Sequence, residues 1–113
     1  MSGLSTHVLD TAHGRPAVGV PVRLQRRTAG GWETLAIAAT DADGRVRSLL
    51  PDGTQLAAGV HRLTFELAPY FAARGEASFY PEASIVFEVR EPDEHHHVPL
   101  LVSPHGYTTY RGS

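Results

Sequence analysis

The chain has 113 residues, of which 42% are hydrophobic and 19% charged. This length suffices for one domain with one modest core, and we expect residues 1–113 to form a single domain. The formal net charge of −2 gives no electrostatic reason to expect nucleic acid or an anionic membrane as a partner. The absence of cysteine excludes disulfides, thiol nucleophiles and cysteine-ligated metal sites.

The sequence contains no signal for secretion or membrane insertion. No basic N-terminal segment is followed by an apolar run, and no apolar stretch approaches the length of a membrane span. We therefore expect a cytoplasmic protein.

Apolar and polar residues alternate with a period of two along most of the chain, which predicts half-buried β-strands. Gly- and Pro-containing turn signals separate these runs, among them His13–Pro16, Ala29–Gly31, Asp43–Gly44 and Pro51–Gly53. The predicted strands are residues 4–10, 19–28, 31–40, 45–49, 60–68, 83–91, 95–103 and 106–111. Short strands at this spacing predict an all-β sandwich or barrel.

Three local features modify this pattern. Residues 69–75 begin with Pro69 and end with Gly75, the asymmetry of a helix of one to two turns. Pro99 cannot donate a ladder hydrogen bond, which predicts a bulge or an edge position within strand 95–103. Asp43-Gly44 predicts a hairpin turn with Gly44 at positive φ, and Asp41–Gly44 lacks the further acidic residues of a calcium loop.

Histidine is unusually frequent, with seven residues in the chain. Strand alternation places His7 on the face opposite Leu4, Thr6 and Val8. If Val98 faces the core, His95 and His97 point outward. The pair is interpreted either as part of a pocket or interface, or as a solvent-facing cluster. A sharper alternative is a zinc site, because His95, His97 and His7 together would supply three ligands and leave a position open for water.

The last four residues, Tyr110-Arg111-Gly112-Ser113, follow a strand-like run directly. If ordered, they would bring a phenol, a guanidinium, a hydroxyl and a carboxylate together as the wall of a site for a small, flat, polar molecule. The alternative is an edge strand that happens to end in polar residues, and the tail alone favours that alternative.

Several segments together resemble the 5-hydroxyisourate hydrolases, the transthyretin-like enzymes of urate degradation. Almost the whole chain takes part in the resemblance, without a large gap. The matching segments are Leu4–Asp10, Thr40–Arg45, Phe79–Glu82, His95–Pro104 and Tyr107–Ser113. The Tyr-Arg-Gly-Ser ending is the most specific of these, because hormone-carrying transthyretins lack it.

The resemblance implies a β-sandwich of two four-stranded sheets with one short helix, assembled as a homotetramer with sites at the dimer–dimer interface. It places the family's catalytic residues on His7, Arg45 and His97 and a substrate-binding role on Tyr110, Arg111, Gly112 and Ser113. It implies no cofactor and no metal. His96 stands where the family usually has tyrosine, and Thr108 replaces a common serine; since His96 faces away from His97, we expect effects on packing only.

The residue chemistry agrees with hydrolysis of 5-hydroxyisourate to 2-oxo-4-hydroxy-4-carboxy-5-ureidoimidazoline. A histidine transfers protons near neutral pH, and a nearby guanidinium disfavours the imidazolium form. Either His7 or His97 would activate water, and the other would move the proton. The alternatives are a non-catalytic transthyretin-like binding module and, less favoured, the His-ligated zinc hydrolase.

Overall fold

The computed structural model describes residues 3–51 and 54–113, which contain nine β-strands and one short helix. The turn predicted at Pro51–Gly53 falls partly on residues 52 and 53, outside the described residues. The strands are β1 (Gly3–Asp10), β2 (Arg15–Pro16), β3 (Pro21–Thr28), β4 (Gly31–Ala39), β5 (Arg45–Val46), β6 (Gly59–Glu66), β7 (Glu82–Val89), β8 (His95–Ser103) and β9 (Gly106–Thr109); helix α1 is Ala68–Ala72.

The strands form two sheets that enclose one core. The first sheet has the order β2-β1-β8-β9, and the short strand β5 also pairs with β1; the second has the order β4-β3-β6-β7. β1 and β8 run parallel, whereas every other described pair is antiparallel. The predicted β-sandwich with a short helix is confirmed, with β2 and β5 as short additions to the first sheet.

Strand alternation decides which side chains enter the core. In β1, Leu4, Thr6 and Val8 are fully buried, while Ser5 and His7 on the other face are half-buried. In β8, Val98, Leu100 and Val102 are buried between the sheets. The predicted faces of both strands are therefore confirmed. Their outer faces carry the polar residues that form the candidate site.

Helix α1 packs into the core and contacts the end of β1. Pro69 lies in its first turn, where the missing N–H costs nothing, and Tyr70 and Phe71 are buried. The Tyr70 hydroxyl donates to Asp10 Oδ2 at 2.7 Å, and the His13 backbone N–H donates to Asp10 Oδ1 at 3.0 Å. Burial, reinforced by the Asp10 hydrogen bond, raises the pKa of Tyr70 to about 12.

No helix in the described residues is long and apolar enough to cross a membrane.

The turn at Asp43-Gly44 does not close a hairpin, which corrects one prediction. β4 belongs to the second sheet, whereas β5 pairs with β1 of the first. The segment 40–44 therefore crosses between the sheets, with Gly44 N–H donating to Asp41 O at 2.9 Å. Gly44 does adopt the predicted positive φ, at 74°. The crossing delivers Arg45 to β1, which no local turn signal specified.

Pro99 lies neither at an edge nor at a bulge, which corrects a second prediction. β8 is an interior strand. The pairs Leu100↔Thr109 and His97↔Gly112 share one register, so no extra residue is inserted between them and there is no bulge. The missing N–H of Pro99 interrupts the ladder between these two pairs, where Thr109 Oγ1 donates to Pro99 O at 2.8 Å. The gap leaves residues 110 and 111 outside the regular sheet.

His96 and His61 lie inside the sandwich, away from the outer face of the first sheet. His96 is buried and faces away from His97, as predicted. His61 is fully buried and stacks on Phe87 with ring centroids 5.8 Å apart. Burial lowers the pKa of His61, so this ring stays neutral near neutral pH.

Candidate active site

The candidate site forms where β1 lies between β5 and β8. The antiparallel pairing with β5 sets His7 directly opposite Arg45, and the parallel pairing with β8 sets Ser5 opposite His97. These side chains share the outer face of the first sheet. Ser5, Thr6, Arg45, Arg47 and His97 line a depression of about 110 Å³. The structure thus brings together the three predicted catalytic residues, which are separated by up to 90 positions in sequence.

Arg45 is positioned by the backbone of the crossing segment. The Asp41 carboxylate accepts the backbone N–H of Arg45 at 3.0 Å and of Asp43 at 2.9 Å, and these hydrogen bonds lower the pKa of Asp41. Glycine is required before Arg45, because a Cβ on Gly44 would lie 2.5 Å from the Val8 carbonyl oxygen. Within the described residues Arg47 pairs with Asp43 at 3.1 Å, whereas Arg45 forms no ion pair. The Arg45 guanidinium is therefore available to a ligand.

His7 is held in one tautomer by the same segment. Its Nε2 donates to the carbonyl oxygen of Asp43 at 3.0 Å, so the neutral ring carries its proton on Nε2 and leaves Nδ1 without one. Partial burial and the adjacent Arg45 guanidinium hold the pKa of His7 below its ordinary value of 6.5. The ring is neutral at pH 7 and able to accept a proton.

His97 is held by Ser5. The Ser5 hydroxyl oxygen lies 2.8 Å from His97 Nδ1 and also 2.8 Å from Nε2 of the exposed His95. Partial burial, and to a smaller extent the positive charge of Arg45, lowers the pKa of His97 below 6.5. Within the described residues His97 Nε2 makes no hydrogen bond, so this nitrogen is free to act on a ligand. The outward orientation predicted for His95 and His97 is confirmed.

The C-terminal residues meet the site in part. Gly112 N–H donates to His97 O at 2.9 Å, and a Cβ on Gly112 would overlap the His97 ring, with 3.1 Å to its Cγ. Tyr110 and Arg111 line a neighbouring cavity of about 240 Å³ that His97 also borders. The Arg111 guanidinium pairs with Glu94 at 3.1 Å, and Ser113 is exposed. In the part of the tail that the structure describes, the hydrogen bond to a predicted catalytic residue therefore comes from Gly112 alone.

The histidines do not gather into the three-ligand arrangement that the zinc alternative requires. Across residues 3–51 and 54–113, no group of three or more His, Cys, Asp or Glu side chains is arranged to hold a metal ion. The Ser5 hydroxyl lies between the rings of His95 and His97, and Asp43 O holds His7 Nε2.

Sequence reasoning did not identify Ser5, Asp41 or Asp43 as parts of the site. Ser5 shares the His7 face by alternation, so the same periodicity that selected His7 could have selected it. Asp41 and Asp43 act through backbone groups of the crossing segment, and no side-chain pattern in the sequence signals that role.

Comparisons with known proteins agree with this architecture. Residues 4–112 match the model of the HIUase/Transthyretin family. A 5-hydroxyisourate hydrolase of Caulobacter vibrioides is 50% identical over 117 residues, covering all of both chains. The solved structure of Klebsiella pneumoniae 5-hydroxyisourate hydrolase superposes with a TM-score of 0.87 at 43% identity, covering all of both chains. Sea bream transthyretin in complex with thyroxine gives a TM-score of 0.89 at 33% identity, covering 97% of this chain and 94% of that one.

The shared electrostatic environment of His7 and His97 can be measured directly. Histidine NMR titration should give a pKa below 6.5 for both rings, because burial and Arg45 disfavour the imidazolium form. Removing the charge with Arg45→Gln should raise both pKa values. Arg27→Gln, an exposed change on the second sheet, is the control and should move neither. Unchanged titration in Arg45→Gln would show that Arg45 does not act on these rings.

Proposed function

The chain belongs to the HIUase/Transthyretin family, and we propose that it is a 5-hydroxyisourate hydrolase that opens the six-membered ring of its substrate in urate degradation. The product would be 2-oxo-4-hydroxy-4-carboxy-5-ureidoimidazoline. The observation that carries the proposal is the convergence of His7, Arg45 and His97 on one half-buried face, with both imidazoles biased toward the neutral form. The relatives named as 5-hydroxyisourate hydrolases support the choice of substrate.

Ring opening is hydrolysis of an amide bond within the ring. One neutral histidine accepts a proton from water as the oxygen attacks the ring carbonyl. The other takes up the second proton of that water at its bare nitrogen and passes it to the leaving nitrogen, so that it ends neutral. Both rings already have a bare nitrogen at neutral pH, so no prior deprotonation is needed. Positioned proton transfer of this kind contributes about 10²- to 10⁴-fold to the rate.

Arg45 serves two purposes in this mechanism. Its planar guanidinium donates N–H groups to the carbonyl oxygen, where negative charge develops as water adds. The same charge keeps the flanking imidazoles unprotonated in the resting site. Since Arg45 forms no ion pair within the described residues, its N–H groups are available to the oxyanion of the transition state.

We assign substrate binding to the tail, residues Tyr110, Arg111, Gly112 and Ser113. Tyr110 and Arg111 line the cavity that meets the depression at His97, and Gly112 fixes the path of the chain there. The Arg111 guanidinium is held by an exposed partner, Glu94, and an exposed ion pair of this kind exchanges for a substrate carbonyl at small cost.

The reaction we propose requires no metal. The arrangement of the side chains supports this, because within residues 3–51 and 54–113 no group of three or more His, Cys, Asp or Glu is placed to hold a metal ion. Turnover should therefore be unaffected by a chelator. A folded protein without turnover would instead favour the non-catalytic binding module. The cytoplasmic location stays a prediction.

We further propose that residues 1–113 act as one domain within a homotetramer, with sites at the dimer–dimer interface. Exposed apolar side chains support association, including the edge-to-face cluster of Phe79, Tyr80 and Tyr107. Sedimentation equilibrium should give about four times the chain mass of 12.2 kDa. A monomeric mass at the concentration used in the activity assay would overturn the tetramer proposal and leave the proposed catalytic mechanism unaffected.

Substitutions at the three catalytic positions test the mechanism. His7→Asn, His97→Asn and Arg45→Gln should each lower kcat/KM by about 10²- to 10⁴-fold, because each removes proton transfer or charge stabilisation. The measurement is the ultraviolet decay of 5-hydroxyisourate, generated from urate with urate oxidase, relative to the spontaneous rate. Arg27→Gln is the matched control for Arg45 and should retain full activity. Full activity in a folded His97→Asn protein would show that His97 has no catalytic role.

A pair of glycine substitutions tests the contact between the tail and His97. Gly112→Ala should lower kcat/KM by about tenfold or more, because the added Cβ would displace the His97 ring or the tail. Gly106→Ala is the matched control, since its nearest neighbour to a Cβ, Ser103 Oγ, lies 4.0 Å away. Equal activities of the two variants would show that the tail need not pack on His97.

A further inference from the structure

We propose that Ser5 and His95 form a proton relay that carries a proton from His97 to solvent during turnover, an inference that rests on the hydrolase function proposed above. Ser5 Oγ lies 2.8 Å from His97 Nδ1 and 2.8 Å from His95 Nε2. His97 is half-buried at the depression, whereas His95 is exposed. The three side chains therefore connect the site to bulk water through two hydrogen bonds.

A serine hydroxyl between two imidazoles couples their tautomers. The hydroxyl has one proton to donate, so it donates to one ring nitrogen and accepts an N–H from the other. In one arrangement His97 Nδ1–H donates to Ser5 and the Ser5 hydroxyl donates to His95 Nε2, which leaves His97 Nε2 bare. In the other arrangement both hydrogen bonds point the opposite way and His97 carries its proton on Nε2.

The proposed reaction needs such a path because it releases a proton. Of the two protons of the attacking water, one ends on the leaving ureido nitrogen and one is left by the new carboxyl group. That group is ionised near neutral pH, since carboxyl pKa values lie at about 3 to 4. One proton per turnover must therefore leave a half-buried site.

The relay moves this proton while every group keeps its valence. His97 Nε2 accepts a proton from the reacting water, and the Nδ1 proton of His97 passes to Ser5 Oγ. The original hydroxyl proton of Ser5 passes to His95 Nε2, and His95 releases its Nδ1 proton to solvent. His97 and His95 end as neutral rings of the opposite tautomer, and exchange with solvent after product release restores the first arrangement. Ser5 and His95 are relay and positioning residues, because they act on the substrate only through His97.

Buffer dependence distinguishes a relay from a structural role. In dilute buffer, Ser5→Ala and His95→Asn should lower kcat by about tenfold with little change in KM, because proton release becomes limiting. Added imidazole should restore kcat in both variants as its concentration rises. Ser5→Thr keeps the hydroxyl and should retain kcat without imidazole. His105→Asn, an exposed histidine in the β8–β9 turn, is the control and should match the unsubstituted protein at every buffer concentration.

The outcomes separate the relay from the hydrolase proposal. Wild-type kcat in both variants would overturn the relay, as would a loss that neither imidazole nor Ser5→Thr restores. An unsubstituted protein that fails to accelerate 5-hydroxyisourate decay would reject the hydrolase function itself. Nitrogen-15 NMR of the imidazoles checks the geometry without turnover, because Ser5→Ala should change the shifts of His95 Nε2 and His97 Nδ1 while leaving His105 unchanged. Unaltered shifts would show that Ser5 does not bridge the two rings.

Discussion

The site depends on one constraint, the pairing of β1 with a strand on each side. β5 fixes His7 opposite Arg45, and β8 fixes Ser5 opposite His97. Since side chains alternate along a strand, a shift of one residue in either register would turn these groups into the core. The buried Leu4, Val8, Val98 and Leu100 oppose such a shift, because it would expose them. The core that stabilises the sandwich therefore also sets the geometry of the site.

Partial burial gives the site its electrostatic character. The imidazoles of His7 and His97 are sheltered enough to disfavour the charged form, yet both are only half-buried, and His97 lines the depression. Arg45 adds a positive charge that acts on both rings, and its backbone is held by the Asp41 carboxylate. A cation beside two neutral bases suits a reaction in which an oxyanion develops while protons are transferred.

The sequence predicted much of this arrangement where local periodicity decides the outcome. Alternation placed His7, His95 and His97 on the outer faces of their strands, and the Pro69–Gly75 pattern located the helix; both predictions are confirmed, as is the family. The sequence could not predict the crossing at residues 40–44, because pairing between distant strands leaves no local signal. The hairpin prediction for Asp43-Gly44 is therefore wrong. The prediction for Pro99 was wrong for a similar reason: only the pairing of β8 with β9 and with Gly112 shows that its missing N–H falls in a gap of the ladder. The roles of the site residues remain proposals.

The central claim is that His7 and His97 act as one unit under the influence of Arg45. The most direct test compares kcat/KM for 5-hydroxyisourate in His7→Asn, His97→Asn and the double variant. If the two rings serve one proton-transfer step, the double variant should lose about as much activity as the more impaired single variant. Losses that multiply in the double variant would show that the two histidines act independently and would contradict the account.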